Sequence, residues 1–125
     1  MAYKIYFQEE DDLLRVEISG DREKAKLITN AREAWREIAN VNREKKNFKV
    51  LIVSRATGKY PIFDALMINQ SLAEYGVQRD WKIAFVNLDQ ASFSEVKVAE
   101  MIAVNRGFNL GVFPNEETAR KWLLN

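Results

Sequence analysis

Two short segments at the start of the chain are rich in residues that favour β-strands. Residues 3–7 (YKIYF) form the first, and residues 13–19 (LLRVEIS) form the second, in which apolar and polar residues alternate. Strict alternation places the apolar side chains on one face of a strand. The acidic run at residues 9–12 separates the two segments. The pattern therefore predicts an antiparallel hairpin with a solvated turn.

The period then changes to that of a helix. Apolar residues recur three or four positions apart through residues 27–41, and the positions between them carry mixed charges. This spacing predicts a long amphipathic helix with one buried stripe. Asp21 stands where an N-terminal cap is expected. The residues of the predicted stripe are Leu27, Ile28, Ala31, Ala34, Trp35, Ile38 and Val41.

Three further segments are continuous apolar runs. They cover residues 48–54 (FKVLIVS), 81–87 (WKIAFVN) and 110–113 (LGVF). An uninterrupted apolar run is typical of a strand that is covered on both faces, as in a parallel sheet. We therefore predict three strands that pair in parallel.

Helices are predicted between and after these strands. Pro61 suits the start and Gly76 the stop of the first, and a second spans residues 92–106. A last helix spans residues 116–124 behind an Asn115 cap. With the long helix before them, these elements give the order ββαβαβαβα.

This order predicts one α/β domain over residues 1–125. Parallel strands joined by helices require right-handed crossovers, and the first strand becomes an antiparallel edge. We therefore expect a mixed, mostly parallel five-stranded sheet with helices packed on it.

The amino-acid composition excludes several kinds of catalytic and metal-binding chemistry. The chain has no histidine and no cysteine, which excludes disulfides, thiol catalysis, thiolate metal sites and a histidine general base. Its 19 basic residues nearly balance its 18 acidic ones, so it lacks the excess of cations that marks nucleic-acid binding. Residues 1–12 do not have the pattern of a signal peptide, and no stretch approaches the roughly 20 apolar residues of a membrane span. We expect a cytoplasmic protein without a cofactor.

The segments that resemble catalytic motifs are weak. Gly58 and Lys59 follow a strand and precede a helix, but Val53 and Tyr60 occupy positions where a phosphate-binding loop needs Gly and Ser or Thr. Asp64 lies in the first turn of the second helix, where the helix dipole favours an acid anyway. An enzyme that uses Asp64, Lys59 and Tyr60 is therefore the least favoured interpretation.

The second predicted helix is more apolar than a surface helix should be. Phe63, Met67 and Tyr75 lie beside its predicted core stripe. Two explanations remain open. A neighbouring helix covers one flank, or these side chains, with Tyr60 in the preceding loop, form a surface for a ligand or a second subunit. The core stripe itself is assigned to Ile62, Ala65, Leu66 and Ala73.

The chain resembles the SpoIIAA-like family, which is related to STAS domains and grouped with Sec14-type lipid-binding folds. The features that carry the resemblance are the order of elements, the early strand that ends in Gly20 (VEISG), the strand that starts at Trp81 (WKIAFV) and the Ala-x-x-Trp-Leu pattern at residues 119–123. They are packing features and extend over nearly the whole chain. The resemblance implies a bacterial protein with a STAS-like fold.

The resemblance also implies two candidate phosphoacceptors. STAS phospho-switch proteins carry a phosphorylated Ser and an acidic turn between the third strand and the next helix. Here that region supplies the hydroxyls of Ser54 and Thr57, without the acidic residue and without the Ser-x-Gly-Leu pattern.

Two functions are expected from these observations. The first is a non-enzymatic module that engages a protein partner, a second copy of itself or a small apolar ligand near the third-strand loop and the second helix. The alternative is a phosphorylation-dependent STAS-type switch that acts through Thr57 or Ser54.

Overall fold

The computed structural model describes residues 3–125. Its strands have the following bounds: β1 (Lys4–Glu9), β2 (Leu14–Ser19), β3 (Lys49–Ser54), β4 (Lys82–Asn87) and β5 (Asn109–Phe113). Its α-helices are α1 (Leu27–Lys45), α2 (Ile62–Asn69), α3 (Phe93–Asn105) and α4 (Glu116–Leu124). Short 3₁₀ turns, Lys24–Lys26 and Gln90–Ser92, lead into α1 and α3.

The five strands lie in the sheet in the same order as in the chain, β1-β2-β3-β4-β5. β1 pairs with β2 antiparallel, and each later pair is parallel. The predicted fold class is therefore confirmed, with β1 as the antiparallel edge strand.

Helices cover both faces of this sheet. On one face, α1, α2 and α3 pack on a core that includes Val50 and Ile52 of β3. On the other, α4 packs on Leu51 and Val53 of the same strand. Successive side chains of a strand point to opposite faces, so β3 is buried on both sides and has to be apolar throughout. Among residues 3–125, no helix combines the length and the apolar character that crossing a bilayer demands.

The start of α1 differs from the prediction. The helix begins at Leu27 after a 3₁₀ turn, so Asp21 is not its N-cap. The carboxylate of Asp21 instead accepts a hydrogen bond from the hydroxyl of Thr57. Asp21 is therefore bonded to a residue of another loop and does not cap the helix.

Helix α2 is shorter than predicted. It ends at Asn69, and turns occupy residues 70–76. In these turns the hydrogen bonds shorten to a three-residue spacing, as from the N–H of Ser71 to the carbonyl of Ile68. Gly76 has a φ of 100° and ends this turn segment rather than the helix.

The buried face of α2 also differs from the prediction. Of the four residues assigned to its core stripe, Ala65 is buried, whereas Ile62, Leu66 and Ala73 are exposed. Ile68 and Leu72, which were not assigned to that stripe, are fully buried. A helix that is apolar on nearly every side carries little information about its orientation.

Helix α4 follows the prediction closely. The side chain of Asn115 accepts a hydrogen bond from the N–H of Thr118 at 2.9 Å and caps the helix. Ala119 and Leu123 are buried against the sheet. Thr118 is exposed, and its hydroxyl donates to the side chain of Asn115 in the same cap.

Candidate functional site

The carboxyl ends of β2, β3 and β4 meet at one edge of the sheet, because these strands are parallel neighbours. The segments at residues 20–22, 54–61 and 88–92 follow these three strands. Open α/β sheets bind their ligands at such an edge. The candidate site is formed by these segments and by the helices that follow them.

Hydrogen bonds join the first two segments. The backbone N–H of Arg22 donates to the carbonyl of Thr57 at 2.8 Å, and the N–H of Thr57 donates to the carbonyl of Gly20 at 3.1 Å. The hydroxyl of Thr57 donates to Oδ1 of Asp21 at 2.7 Å. Thr57 is nevertheless exposed, so its side chain lies at the surface against a carboxylate.

The buried side chain of Arg22 connects all three segments. Its Nη1 donates to the carbonyl of Gly58 at 2.6 Å and to Oγ of Ser92 at 3.0 Å, and its Nη2 donates to Oδ1 of Asn87 at 2.9 Å. The carboxylate of Asp89 lies 3.9 Å from Nη1. The side chain of Arg22 is only 5% exposed, and a buried guanidinium requires partners of this kind. The three segments are therefore held in one arrangement.

A cavity of about 70 Å³ lies between the sheet and helices α1, α2 and α3. Polar side chains, among them Arg22, Ser54, Tyr60 and Asn69, line the cavity near the carboxyl ends of the strands. Most of the remaining lining is apolar and includes Trp35, Ile38, Phe85, Val96, Leu110 and Val112.

Tyr60 is placed between this cavity and α3. Its hydroxyl accepts a hydrogen bond from Nδ2 of Asn69 at 3.1 Å, and its backbone N–H donates to the carboxylate of Glu95 at 3.1 Å. The guanidinium of Arg22 lies 5.5 Å from the centre of its ring. Burial raises the pKa of Tyr60 to about 12. The hydroxyl therefore stays protonated at neutral pH.

Two contacts fix how α2 and α3 face each other. The bond from Tyr60 to Glu95 joins their amino ends, and Nη2 of Arg106 donates to Oε1 of Gln70 at 3.3 Å near their carboxyl ends. Residues four apart share one face of a helix. Ile62 and Leu66, which precede Gln70 at intervals of four, therefore lie on the side of α2 that faces α3.

Large apolar side chains are exposed on this pair of helices. They are 41% to 67% exposed, although side chains of their kind are usually buried. Four of them, Ile62, Phe63, Leu66 and Met101, are called the α2–α3 patch, and Val104 of α3 is a fifth exposed apolar side chain.

The structure separates the residues that the sequence proposed for a binding surface. Phe63 is in the α2–α3 patch, Met67 is half-buried beside it, and Tyr60 is partly buried at the cavity. Tyr75 is a core residue with 6% of its surface exposed. It therefore does not belong to an exposed surface, because the turns after Asn69 direct it inward.

The two proposed phosphoacceptors have different surroundings. Thr57 is exposed. Ser54 is 2% exposed and lines the cavity, where its Oγ accepts a hydrogen bond from the N–H of Ala56 at 3.3 Å. A modifying enzyme can reach the first hydroxyl but not the second in this fold.

Sequence reasoning missed Arg22, Asn69 and Asn87. Arg22 lies in a charged stretch at residues 21–26, where nothing in the sequence distinguishes a buried cation from a solvated one. Asn69 and Asn87 gave a better signal, because each is a polar residue at the end of an apolar segment. Among residues 3–125, no group of three acidic side chains is placed to hold a metal ion.

The fold is similar to that of a crystallised anti-sigma factor antagonist from Mycobacterium paratuberculosis. The two chains share 12% sequence identity, with a TM-score of 0.59 over 99% of this chain and 96% of the other. No protein-family model matches the sequence, and no curated protein matches it. The chain thus has the STAS-like fold that its order of elements suggested.

Proposed function

We propose that this chain is a non-enzymatic regulatory module that binds a protein partner through the α2–α3 patch. The observation that carries the proposal is the exposure of four large apolar side chains on adjacent helices. Exposed apolar side chains that cluster on a surface mark interaction sites. Aromatic residues and Met are also enriched where proteins bind each other.

The fold supports a regulatory interpretation. A protein described as an anti-sigma factor antagonist has the same architecture over nearly its full length. Fold alone does not determine function, so the function of this chain is inferred from its own surface. A small ligand would use the cavity beneath α2, and not the outer face that carries the patch.

The proposal is tested with a charged residue in the patch. Phe63→Asp should leave the fold intact, because Phe63 is 65% exposed. Phe48→Asp is the matched control, because Phe48 is also 65% exposed and precedes β3 at the opposite edge of the sheet. Each variant is immobilised and exposed to soluble extract from the host of the protein, and captured proteins are quantified by mass spectrometry.

A partner that is retained by the wild type and by Phe48→Asp, but reduced about 30-fold by Phe63→Asp, supports the proposal, because a central interface residue contributes about 2 kcal/mol. Equal retention by all three proteins shows that the patch does not bind it. Sedimentation velocity of the purified proteins tests whether the patch binds a second copy of the chain. A dimer that Phe63→Asp dissociates would mean that the patch binds a second copy of the chain instead.

A phosphorylation-dependent switch is the second candidate, favoured by the exposure of Thr57 in the loop after β3. A phosphate on this hydroxyl would replace the hydrogen bond to Asp21 with repulsion between two negative groups. The bridge between the segments at residues 20–22 and 54–61 would then open. Intact-mass measurement of protein purified from its own host checks this, with Thr57→Val as the variant that should abolish any phosphate. An unmodified mass under every growth condition would eliminate the switch.

A further inference from the structure

The cavity beneath α2 contains polar groups whose hydrogen-bonding capacity is only partly used. Asn69 is 2% exposed. Its Nδ2 donates to Oη of Tyr60 at 3.1 Å and to the carbonyl of Ala65 at 2.8 Å, which uses both of its N–H groups. Its Oδ1 accepts no hydrogen bond from residues 3–125. An amide oxygen that lines a cavity without a donor favours a ligand that can donate a hydrogen bond to it.

Two hydroxyl groups that line the same cavity accept a hydrogen bond but, among residues 3–125, do not donate one. Oη of Tyr60 accepts a hydrogen bond from Asn69, and Oγ of Ser54 accepts one from the N–H of Ala56. Neither hydroxyl donates to any residue in the described part of the chain. Within this group of three residues, Asn69 therefore has a free acceptor and each of the two hydroxyls has a free donor.

The electrostatics of the lining favour a neutral ligand. Arg22 is the only charged residue that lines the cavity in the region described. Its guanidinium already donates to Gly58, Asn87 and Ser92 and lies near the carboxylate of Asp89. A carboxylate in the cavity would lose its hydration without gaining a free cation, and its oxygens would be repelled by Oδ1 of Asn69.

A hydroxyl head satisfies this set of groups. Its proton is donated to Oδ1 of Asn69, and its oxygen accepts from Tyr60 or Ser54. A primary amide offers the same combination of donor and acceptor. The rest of the ligand would contact the apolar walls formed by side chains such as Trp35 and Phe85.

The size of the cavity limits the apolar part. At about 70 Å³, the cavity has roughly half the volume of an engineered apolar cavity of about 150 Å³ that binds benzene. A body of about three or four carbon atoms follows from this comparison.

We propose that the cavity lined by Ser54, Tyr60 and Asn69 binds a small neutral molecule with a hydroxyl or primary amide head and a compact apolar body. None of the residues that line this site belongs to the α2–α3 patch. Its failure would therefore leave partner binding through the patch untouched, and the reverse also holds.

The test is a titration of the full chain with primary alcohols from ethanol to 1-hexanol, followed by ¹H–¹⁵N chemical shifts. The dissociation constant should fall about fourfold for each added methylene while the chain fits the cavity, and it should level off near four carbons. Butyramide should bind like 1-butanol, and butyrate should bind at least tenfold more weakly. Butyrate that binds as tightly as 1-butanol would overturn the neutral head.

Two matched variants separate the cavity from the surface. Ala99 is buried and lines the cavity, whereas Ala73 is exposed outside it. Ala99→Leu should abolish the shifts caused by 1-butanol and leave the melting temperature equal or higher, because the added carbons fill existing space. Ala73→Leu should bind like the wild type.

Shifts that persist in Ala99→Leu, or an affinity that keeps rising beyond four carbons, would assign the alcohols to the surface and overturn the proposal. An absence of shifts at 100 mM of every alcohol would also overturn it and would leave the cavity to water. If Ala99→Leu fails to fold, Ala31→Leu provides the same test from α1, because Ala31 also lines the cavity.

Discussion

The guanidinium of Arg120 binds both carboxylate oxygens of Glu10, with each distance 3.0 Å, although 110 positions separate the two residues. The same arginine binds Glu116, which in turn accepts two hydrogen bonds from Arg15. Arg15 also approaches Glu17 at 3.4 Å. Charges therefore alternate from the hairpin turn across α4 to β2 and connect the edge of the sheet to the last helix.

Removal of one charge from this network should lower stability. Glu10→Gln keeps the size of the side chain but removes the charge that pairs with Arg120. The free energy of unfolding should fall by about 0.5–1 kcal/mol at neutral pH. Glu117→Gln is the control on α4, because its pair with Lys121 is mostly exposed at 3.9 Å. Urea unfolding at pH 7 measures both, and an equal loss in the two variants would contradict the prediction.

The network should also make the fold sensitive to acid. Hydrogen bonds from arginines lower the pKa values of Glu10, Glu17 and Glu116 below 4.5. Because the pKa values are lower in the folded state, the stabilisation is present above pH 4.5 and is lost as the pH falls through the folded values. Urea unfolding at pH 7 and at pH 3 should show that the difference between wild type and Glu10→Gln shrinks in acid. A difference that is as large at pH 3 as at pH 7 would assign it to packing.

Loss of the buried arginine should have a larger effect. Arg22→Met keeps much of the apolar stem but leaves Asn87 and Asp89 without their cationic partner, and about 3 kcal/mol of stability should be lost. Arg32→Met is the control, because Arg32 is exposed on α1. Thermal unfolding followed by circular dichroism compares them. A loss below about 1 kcal/mol would show that the three segments hold together without this residue.

Tyr60 should titrate at unusually high pH. Burial raises its pKa to about 12, so the folded state holds this proton more tightly than the unfolded state. Its contribution to stability is complete below pH 10 and is lost as the pH rises from 10 toward 12. Absorbance at 295 nm should therefore show a component near pH 12 that is missing in Tyr60→Phe. The same component in the variant would assign it to another tyrosine.

Gly58 should not tolerate a side chain. Its φ is 106°, a conformation that residues with a Cβ rarely adopt, and a Cβ would lie 3.2 Å from the carbonyl oxygen of Arg22. Gly58→Ala should lower stability by about 1–2 kcal/mol. Lys59→Ala, at the next and exposed position, should change it by less than about 0.5 kcal/mol. Equal denaturation midpoints for both variants would show that the backbone conformation of Gly58 does not require a glycine.

The sequence was sufficient for the fold and insufficient for the orientation of α2. The runs at β3 and β4 are apolar on both faces because both faces are covered, and the pattern shows this directly. Helix α2 is apolar on nearly all sides, so periodicity could not indicate that Ile68 is buried and Leu66 exposed. Its neighbours determine that orientation.

The candidate site was predictable only in its location. Parallel strands bring their carboxyl ends together, so the loop that contains Thr57 was expected near the second helix. The buried position of Arg22 depends on acceptors 36 to 70 positions away, and no local pattern records such a set. The cavity depends on the same long-range packing.

The cover of the second sheet face has a consequence for how the protein is made. Helices α1, α2 and α3 each form between two strands, so the first face can be buried progressively as synthesis proceeds. The opposite face, with Leu51, Val53 and Val86, is covered by Ala119 and Leu123 of α4, which is synthesised after all five strands. Until α4 docks, the sheet of a nascent chain has one apolar face that is exposed to solvent. Exposed apolar surface of this kind is bound by chaperones and leads to aggregation when it is not protected.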